Sequence, residues 1–340
     1  MIEQVHSSLL KLRDVYRSAV KKQRLKKKLA EYNHRLKLNV PFKSLWEAKK
    51  QSDCDISEFF LYGFYNMSAA QRDEYITWTR RALLAQKVGD LDAPLTIPGN
   101  KVLFNTIFAE FMRREWANPS ACTPEEFVGF LRRHGEVIVK PSDQNQGRGI
   151  YKYRFETEEG ALELYREMRG RGGLVEQLVS QHPRMAQLNP NTLNTLRIST
   201  YADTDEVHIL AAALRTGIRE GACTDNLHGG KGCACPVDIE TGRIKAEAFD
   251  QDMTRYATHP LTGVRFEGFE VPLWPQVLDT VRAAARKAYG LPQCHWIGWD
   301  LAVLPDGVEL IEGNWRQAVD LIQCCQGGLY HEMERLSEKI

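Results

Sequence analysis

Two runs of strand-forming residues, 297–303 and 308–312, flank the turn tripeptide Pro305-Asp306-Gly307, and this pair constrains the fold more than any other stretch of the chain. A glycine in last place can take the left-handed conformation that a three-residue hairpin loop needs, so the chain folds back on itself here. With those three residues as the loop, Leu304 faces Val308. Counting outward then places Asp300 opposite Glu312, with Asn314 two residues on and on the same face. Cβ atoms across such a pair lie roughly 5 Å apart, so the two carboxylates repel, and aspartate is a poor strand former. An apolar hairpin that carries both calls for a cation between them. Oxygen donors alone select a hard ion such as Mg2+. The competing reading is a hairpin with a solvated outer face. If the pair does repel, neutralising either member should leave the metal-free fold as stable as before, or slightly more so.

With 340 residues the chain can build two or three subdomains around a sizeable core. Its net charge of +1 hides an uneven distribution: from Lys11 to Lys37 there are eleven Lys or Arg and two acidic residues, which leaves the remainder near −8. The N-terminus lacks a continuous apolar leader, and no run approaches the ~20 apolar residues of a membrane span, so a cytoplasmic protein is expected. The eight cysteines (54, 122, 223, 233, 235, 294, 324 and 325) lack C-x-x-C spacing and are expected to be reduced thiols. His228, Cys233 and Cys235 lack the second ligand pair that a structural zinc site requires.

Residues 7–38 carry apolar side chains at near-helical spacing (Leu9, Leu12, Tyr16, Val20, Leu25, Leu29, Tyr32, Leu36), which predicts one or two amphipathic helices with a basic outer face. That face is either solvated or docks an acidic partner or an anionic membrane surface. A second helix is predicted from a capping box at Ser68 and Gln71, with Tyr75, Trp78, Ala82 and Leu83 inward and Gly89 as its stop. A helix opening on Lys101 turns Leu103 or Phe104, Ile107, Phe108 and Phe111 inward. Another begins at Thr123-Pro124-Glu125-Glu126 and ends at Gly135.

In VIVKPSDQNQGRGIYKYRF the Gly-containing loop joins strand to strand, whereas a Rossmann or Walker loop runs from strand into helix. A hairpin loop with Lys140 at its root and Gly147, Arg148 and Gly149 at its tip can lay backbone N–H groups over a polyphosphate. The short strand LVEQLV presents Glu176 and Gln177 where the edge of a base or a ribose could be met. NTLRISTYAD sets Arg197 among strand formers, and an inward arginine requires an anionic partner. The loop TDNLHGGKG has the short side chains of a substrate-facing segment. A helix over 272–289 precedes the hairpin.

VIVKP with QGRGI, LVEQ, NTLRIST, DNLHGGKG, GWD and IEGN, in this order over about residues 99–328, together resemble the ATP-grasp superfamily, and specifically its sugar-transfer-associated group. DNLHGG is also similar to a loop of the ligases that add glutamate to a ribosomal protein. The resemblance implies an α+β, ATP-grasp fold in which two α+β subdomains clamp ATP, preceded here by a helical, basic N-terminal region. It also implies phosphorylation of a carboxylate to an acyl phosphate, then attack by an amine or another nucleophile. Residue by residue, it implies that Lys101, Lys140, Gly147, Arg148 and Gly149 contact the ATP phosphates and that Glu176, Gln177 and Leu178 hold adenosine. Asp300, Glu312 and Asn314 would hold Mg2+, Arg197 would stabilise the transferred phosphoryl group and be catalytic together with Lys140 and Arg215, and Asn194, Asn226, Gly229 and Gly230 would line the acceptor side with Arg215 as their neighbour. Such an inventory suits phosphoryl transfer, which needs alignment and neutralisation of spread charge.

The expected organisation is a helical region over 1–98, a small subdomain over 99–175 and a large subdomain over 176–340. A small-molecule, saccharide or peptide carboxylate and an amine acceptor are the expected partners, with no specific nucleic acid. Competing readings are a phosphotransferase and a non-catalytic nucleotide-binding module. Many ATP-grasp ligases carry an α/β domain where this chain has basic helices, so the N-terminus departs from the pattern.

Overall fold

The computed structural model describes residues 2–89, 100–142, 149–221, 225, 227, 232–291, 294–315 and 317–338, with backbone alone for residues 2–18 and Cys325. The chain divides into two compact units, one of Met1–Leu83 with Gly327–Met333 and one of Leu84–Gln326 with Glu334–Ile340.

The first unit is helical: α1 (Ile2–Leu36), α2 (Phe42–Ser52), α3 (Ile56–Leu61), α4 (Ala69–Asp73) and the start of α5 (Trp78–Lys87). The basic segment is thus one helix. Leu29 and Leu45 are buried beside an aromatic core of Phe59, Phe60, Phe64 and Tyr75, and Tyr32 stacks on Phe60 with ring centroids 4.7 Å apart. Part of the basic face lies over aromatic rings, Lys22 over Trp46 at 4.9 Å and Lys26 over Phe42 at 5.3 Å. Lys21, Arg24, Lys27 and Lys28 face solvent. The capping box at Ser68 and Gln71 forms as read, yet its helix stops at Asp73. The break resets the helical phase of α5. Trp78 and Leu83, expected inward, are 44% and 61% exposed, and α5 buries Leu84 and Ala85 instead.

The second unit opens with α6 (Lys101–Ile107), capped by Asn100. Then come β1 (Trp116–Ala117), α7 (Pro124–His134), β2 (Glu136–Pro141), β3 (Tyr151–Arg154), α8 (Glu158–Arg171) and β4 (Gly173–Gln177). The strands form an antiparallel sheet in the order β1-β4-β2-β3. The Thr123–Glu126 box starts α7 and Gly135 ends it, as the sequence predicts. Along β2 burial alternates: Val137 and Val139 pack under α7 and α8 with Phe127, Leu131, Leu164 and Met168, so Ile138 and Lys140 face the other way. Glu176 pairs with Ile138 and shares that free face.

The rest comprises α9 (Pro183–Ala186), β5 (Thr195–Ala202), β6 (Val207–Gly217), β7 (Gly232–Val237), β8 (Ala248–Asp250), β9 (Arg255–Tyr256), α10 (Trp274–Tyr289), β10 (Trp296–Leu304), β11 (Gly307–Trp315), α11 (Asp320–Gln326) and α12 (Tyr330–Leu336). Seven antiparallel strands run in the order β11-β10-β5-β6-β7-β8-β9. α10 packs Val277, Val281, Ala284 and Ala285 into a core with Leu196, Ile198, Leu214, Trp299 and Leu301, joined by Phe104 and Phe108. Thr195, Arg197, Arg215 and Asp300 lie on the opposite face. The expected boundary at 175/176 falls inside β4, and that at 98/99 lies outside the described residues.

The hairpin differs from the expectation in its loop. Leu304 pairs with Gly307, so the loop is the two residues Pro305 and Asp306. Gly307 does not take the left-handed conformation; a Cβ there would lie 2.5 Å from Cζ of Arg113. Pairing continues to Leu301–Leu310, then shifts by one at Ile311, so that Asp300 still opposes Glu312. A loop shorter by one residue and a bulge longer by one compensate. Among the described residues, Cys54, Cys122, Cys233, Cys235, Cys294 and Cys324 are free thiols, and no helix is long and apolar enough to cross a membrane.

Candidate active site

Three neighbouring strands converge on Asp300. Register sets Asp300 of β10 beside Arg197 of β5, and Thr195 of β5 beside Arg215 of β6, all on the face away from α10. Arg197 donates through Nε (2.5 Å) and Nη2 (2.9 Å) to the two Asp300 oxygens, while Nη2 of Arg215 lies 2.9 Å from Oδ2. Arg215 also donates to Oγ1 of Thr195 at 2.7 Å, and Thr195 hydrogen-bonds Asp225, the described first residue of the DNLHGG loop. Burial opposes charge on Asp300, but Arg197 and Arg215 outweigh it and hold the carboxyl well below its ordinary range. Glu312 behaves oppositely. Burial first, and then the charge of Asp300, push its carboxyl up.

Do these residues fit a divalent cation? Among the described residues no group of three His, Cys, Asp or Glu side chains could hold a metal, so the set depends on Asn314 as its third donor. Nδ2 of Asn314 lies 3.3 Å from Oδ2 of Asp300 and 3.2 Å from Oε1 of Glu312. The positive end of the amide dipole thus stands between the carboxylates, where a cation would. Turning the amide over presents its oxygen instead. The donor set is all oxygen, so the residues fit Mg2+. Asp300 is already satisfied by two guanidiniums. The expectation that neutralising either carboxylate leaves the fold unweakened is opposed at Asp300, whose loss would take the ion pair from the buried Arg197 and leave Arg215 with Asp225 at 3.7 Å.

A second charged cluster lies on the free face of the four-stranded sheet. Glu176, 3% exposed, meets Nε of Arg114 at 2.9 Å, the ammonium of Lys140, and Nδ2 of Asn105 at 3.0 Å. Arg114 also reaches Oε1 of Glu309 at 2.9 Å. Burial raises the Glu176 carboxyl, yet Arg114 and Lys140 bring it well below the usual range. Lys101, half-buried at the start of α6, is held below the ordinary lysine range, by burial first, with Glu312 opposing, Lys140 adding and Glu176 opposing. Gly313 makes room for this approach, since a Cβ there would lie 2.9 Å from the Phe104 ring of α6. Gly298 likewise leaves space for Gln317, which a Cβ would meet at 2.6 Å.

The structure thus brings together Arg197, Arg215, Asp300, Glu312 and Asn314, pairs Lys140 with Glu176, and sets Lys101 within electrostatic reach of both groups. The Glu176 carboxylate is taken up by cations, Oε1 of Gln177 accepts the Glu115 N–H at 3.1 Å, and Leu178 is half-buried just beyond β4. Asn194 is not brought to either cluster. It is fully buried, and its Nδ2 donates to Oε1 of Gln181 (2.8 Å) and to the carbonyls of Met185 (2.9 Å) and Asn189 (3.0 Å). Gly149 has a φ of 71°. Gly147, Arg148, Asn226, Gly229 and Gly230 lie outside the described residues. Sequence reading missed Arg114, Glu309, Asn105, Thr195 and Asp225. The available signal was Glu309 inside the apolar run VELI, a buried carboxylate in need of a cation.

This chain belongs to the sugar-transfer associated ATP-grasp family, whose family model matches residues 123–338. Lys101 and α6 precede the matched region. Solved structures similar to the chain include D-alanyl-alanine synthetase A from Vibrio cholerae O1 biovar eltor (13% identity, 71% of this chain and 65% of that one, TM-score 0.43). D-cycloserine synthetase DcsG matches at 14% identity over 71% of this chain and 70% of that one, with a TM-score of 0.42. The ATP-grasp ligase PsnB, complexed with a phosphomimetic variant of its minimal precursor, Mg and ADP, matches at 12% identity over 71% and 58%, with a TM-score of 0.39. The chain therefore spans less than two-thirds of the length of the synthetase and of PsnB. No curated protein sequence matches it.

Proposed function

We propose that the protein is an ATP-dependent ligase that activates a carboxylate as an acyl phosphate for attack by an amine, or by another nucleophile, in saccharide or natural-product assembly. One observation carries the reading: Asp300, Glu312 and Asn314 share a sheet face with Arg197 and Arg215. Family membership supports it. In the first step a substrate carboxylate oxygen bonds to the γ-phosphorus of ATP and the bond to ADP breaks. In the second the amine bonds to the acyl carbon, phosphate leaves and the amine loses a proton.

In this reading Lys101, Lys140 and the loop bearing Gly147, Arg148 and Gly149 hold the phosphates, and the main chain at 176–178 meets adenosine. Asp300, Glu312 and Asn314 would hold Mg2+, which when bound neutralises phosphate charge. Arg197 and Arg215 stabilise the transferring phosphoryl group, for which their planar forks suit its oxygens. The two arginines are stored on Asp300, charged and oriented. Asn226, Gly229 and Gly230 line the acceptor side on a loop anchored by the Asp225–Thr195 bond, and Asn194 braces the segment behind it. The exposed lysines and arginines of α1 form a surface for an acidic partner or an anionic membrane.

The test screens paired carboxylates and amines with ATP and Mg2+, using a carboxylate labelled with 18O. An acyl phosphate carries one labelled oxygen into the released phosphate. Amide product with unlabelled phosphate overturns this chemistry, and phosphate retained on a product identifies a phosphotransferase.

A further inference from the structure

We infer that Arg114 is a positioning residue that fixes the register of the Asp300, Glu312 and Asn314 set, and that it couples this register to Lys140. The inference rests on reading that set as the metal side of the proposed site. From the turn outward the ladder runs Leu304–Gly307, Val303–Val308, Ala302–Glu309 and Leu301–Leu310. Continued without interruption, it would pair Asp300 with Ile311 and Trp299 with Glu312. Since side chains alternate, Glu312 would then point with Trp299 into the core under α10. The extra residue, Ile311, returns Glu312 to the face of Asp300. A bulge leaves backbone groups without ladder partners, and something must hold them.

Arg114 does so. Its Nη1 donates to the Leu310 carbonyl at 2.7 Å and its Nη2 to the Ile311 carbonyl at 3.3 Å, the two carbonyls at the bulge. The guanidinium is fixed on its other edges by Oε1 of Glu309 at 2.9 Å and by Glu176 at 2.9 and 3.1 Å. The second oxygen of Glu309 accepts the backbone N–H groups of Arg113 (2.8 Å) and Arg114 (3.1 Å), which seats the segment on β11. Glu176 in turn holds Lys140. Two cations and two carboxylates balance in a buried site, and one planar fork joins the bulge, Glu309 and Glu176 through four N–H bonds from Nη1 and Nη2, with Nε in ion-pair distance of Glu176. Lysine, with three donors on one atom, cannot span these acceptors.

The experiment uses the full chain with Arg114→Lys, reading amide hydrogen exchange across 307–315 and binding of Mn2+ in the presence of ADP. The expected result is exchange at least tenfold faster at 311–313 with β5 and β6 unchanged, and Mn2+ affinity at least tenfold weaker. In a Glu312→Gln background the same substitution should weaken Mn2+ no further, whereas a general loss of stability would act equally in both backgrounds. Wild-type exchange at the bulge, or unaltered Mn2+ affinity, in a folded Arg114→Lys protein overturns the inference. Should that variant not fold, Glu309→Gln is read by the same two measurements. A wild type that binds Mn2+ with ADP yet turns over no carboxylate sinks the ligase reading and leaves the role of Arg114 standing; one that binds no Mn2+ removes both.

Discussion

Asp300 and Glu312 face each other across one pair of strands, yet their surroundings make them opposites. Asp300 holds two guanidiniums, so Asp300→Asn removes the ion pair of the buried Arg197 and leaves the half-buried Arg215 with Asp225 at 3.7 Å. A loss of about 3 kcal/mol or more is expected in denaturant unfolding of the nucleotide-free protein. Glu312→Gln removes a carboxylate raised by burial and by Asp300, and the melting temperature should stay or rise. A folded-state pKa above the unfolded one makes the proton stabilising, fully so below the ordinary value of about 4.3 and lost as pH rises through the folded value. Without metal, wild type and Glu312→Gln should therefore melt together near pH 4, with wild type falling behind at higher pH. Coincident melting curves from pH 4 to 8 would contradict this assignment of charge.

Elements follow local sequence where capping and alternation agree and depart from it where packing adds a residue or breaks a helix. The β5–β6 hairpin has a device of its own: Asp203 accepts the N–H groups of Asp205 (2.9 Å) and Glu206 (2.8 Å) and contacts Nε2 of His208 at 2.9 Å. Burial acts against its charge, but these bonds prevail and bring the carboxyl down to about 2. A depressed value means stability present above the unfolded pKa of about 3.9 and lost as pH falls toward 2. Asp203→Asn should cost about 1–2 kcal/mol at pH 7 in urea unfolding, a gap that shrinks by pH 2. An equal gap at both pH values would mean that the hydrogen bonds do not depend on the charge. At α5 the sequence gives no warning of the break after Asp73, and so its spacing puts Trp78 and Leu83 on the wrong face.

At the scale of the whole molecule the excess of basic charge is concentrated in α1, but α1 is no detachable arm. Leu29 and Tyr32 pack in the core of the N-terminal unit, so removing residues 1–38 would expose Phe60 and test folding rather than docking. Charge reversal at the solvent-facing Lys21, Arg24 and Lys28 is the cleaner probe. Wild type should bind phosphatidylserine vesicles or polyphosphate at low salt. Binding should fade as the Debye length falls from about 10 Å at 0.1 M to about 3 Å at 1 M, and the triple variant should not bind while retaining ATP affinity. Equal retention of both proteins at low salt would show that this face only meets solvent.

The order of motifs, the capped helices, the strand-to-strand connection from β2 to β3 and the opposition of Asp300 and Glu312 could all be read from the sequence, because each rests on residues near in sequence or on a fixed side-chain period. The hairpin also shows the limit of such reading: a three-residue loop without a bulge and a two-residue loop with one give the same facing pair, and only the ladder distinguishes them. What holds the bulge is set by tertiary structure, since Arg114 lies nearly two hundred positions from Leu310 and Ile311. The same holds for the charge states. Whether a carboxylate is raised like Glu312 or lowered like Asp300 depends on which guanidinium the fold brings within 3 Å, and no local pattern encodes that distance.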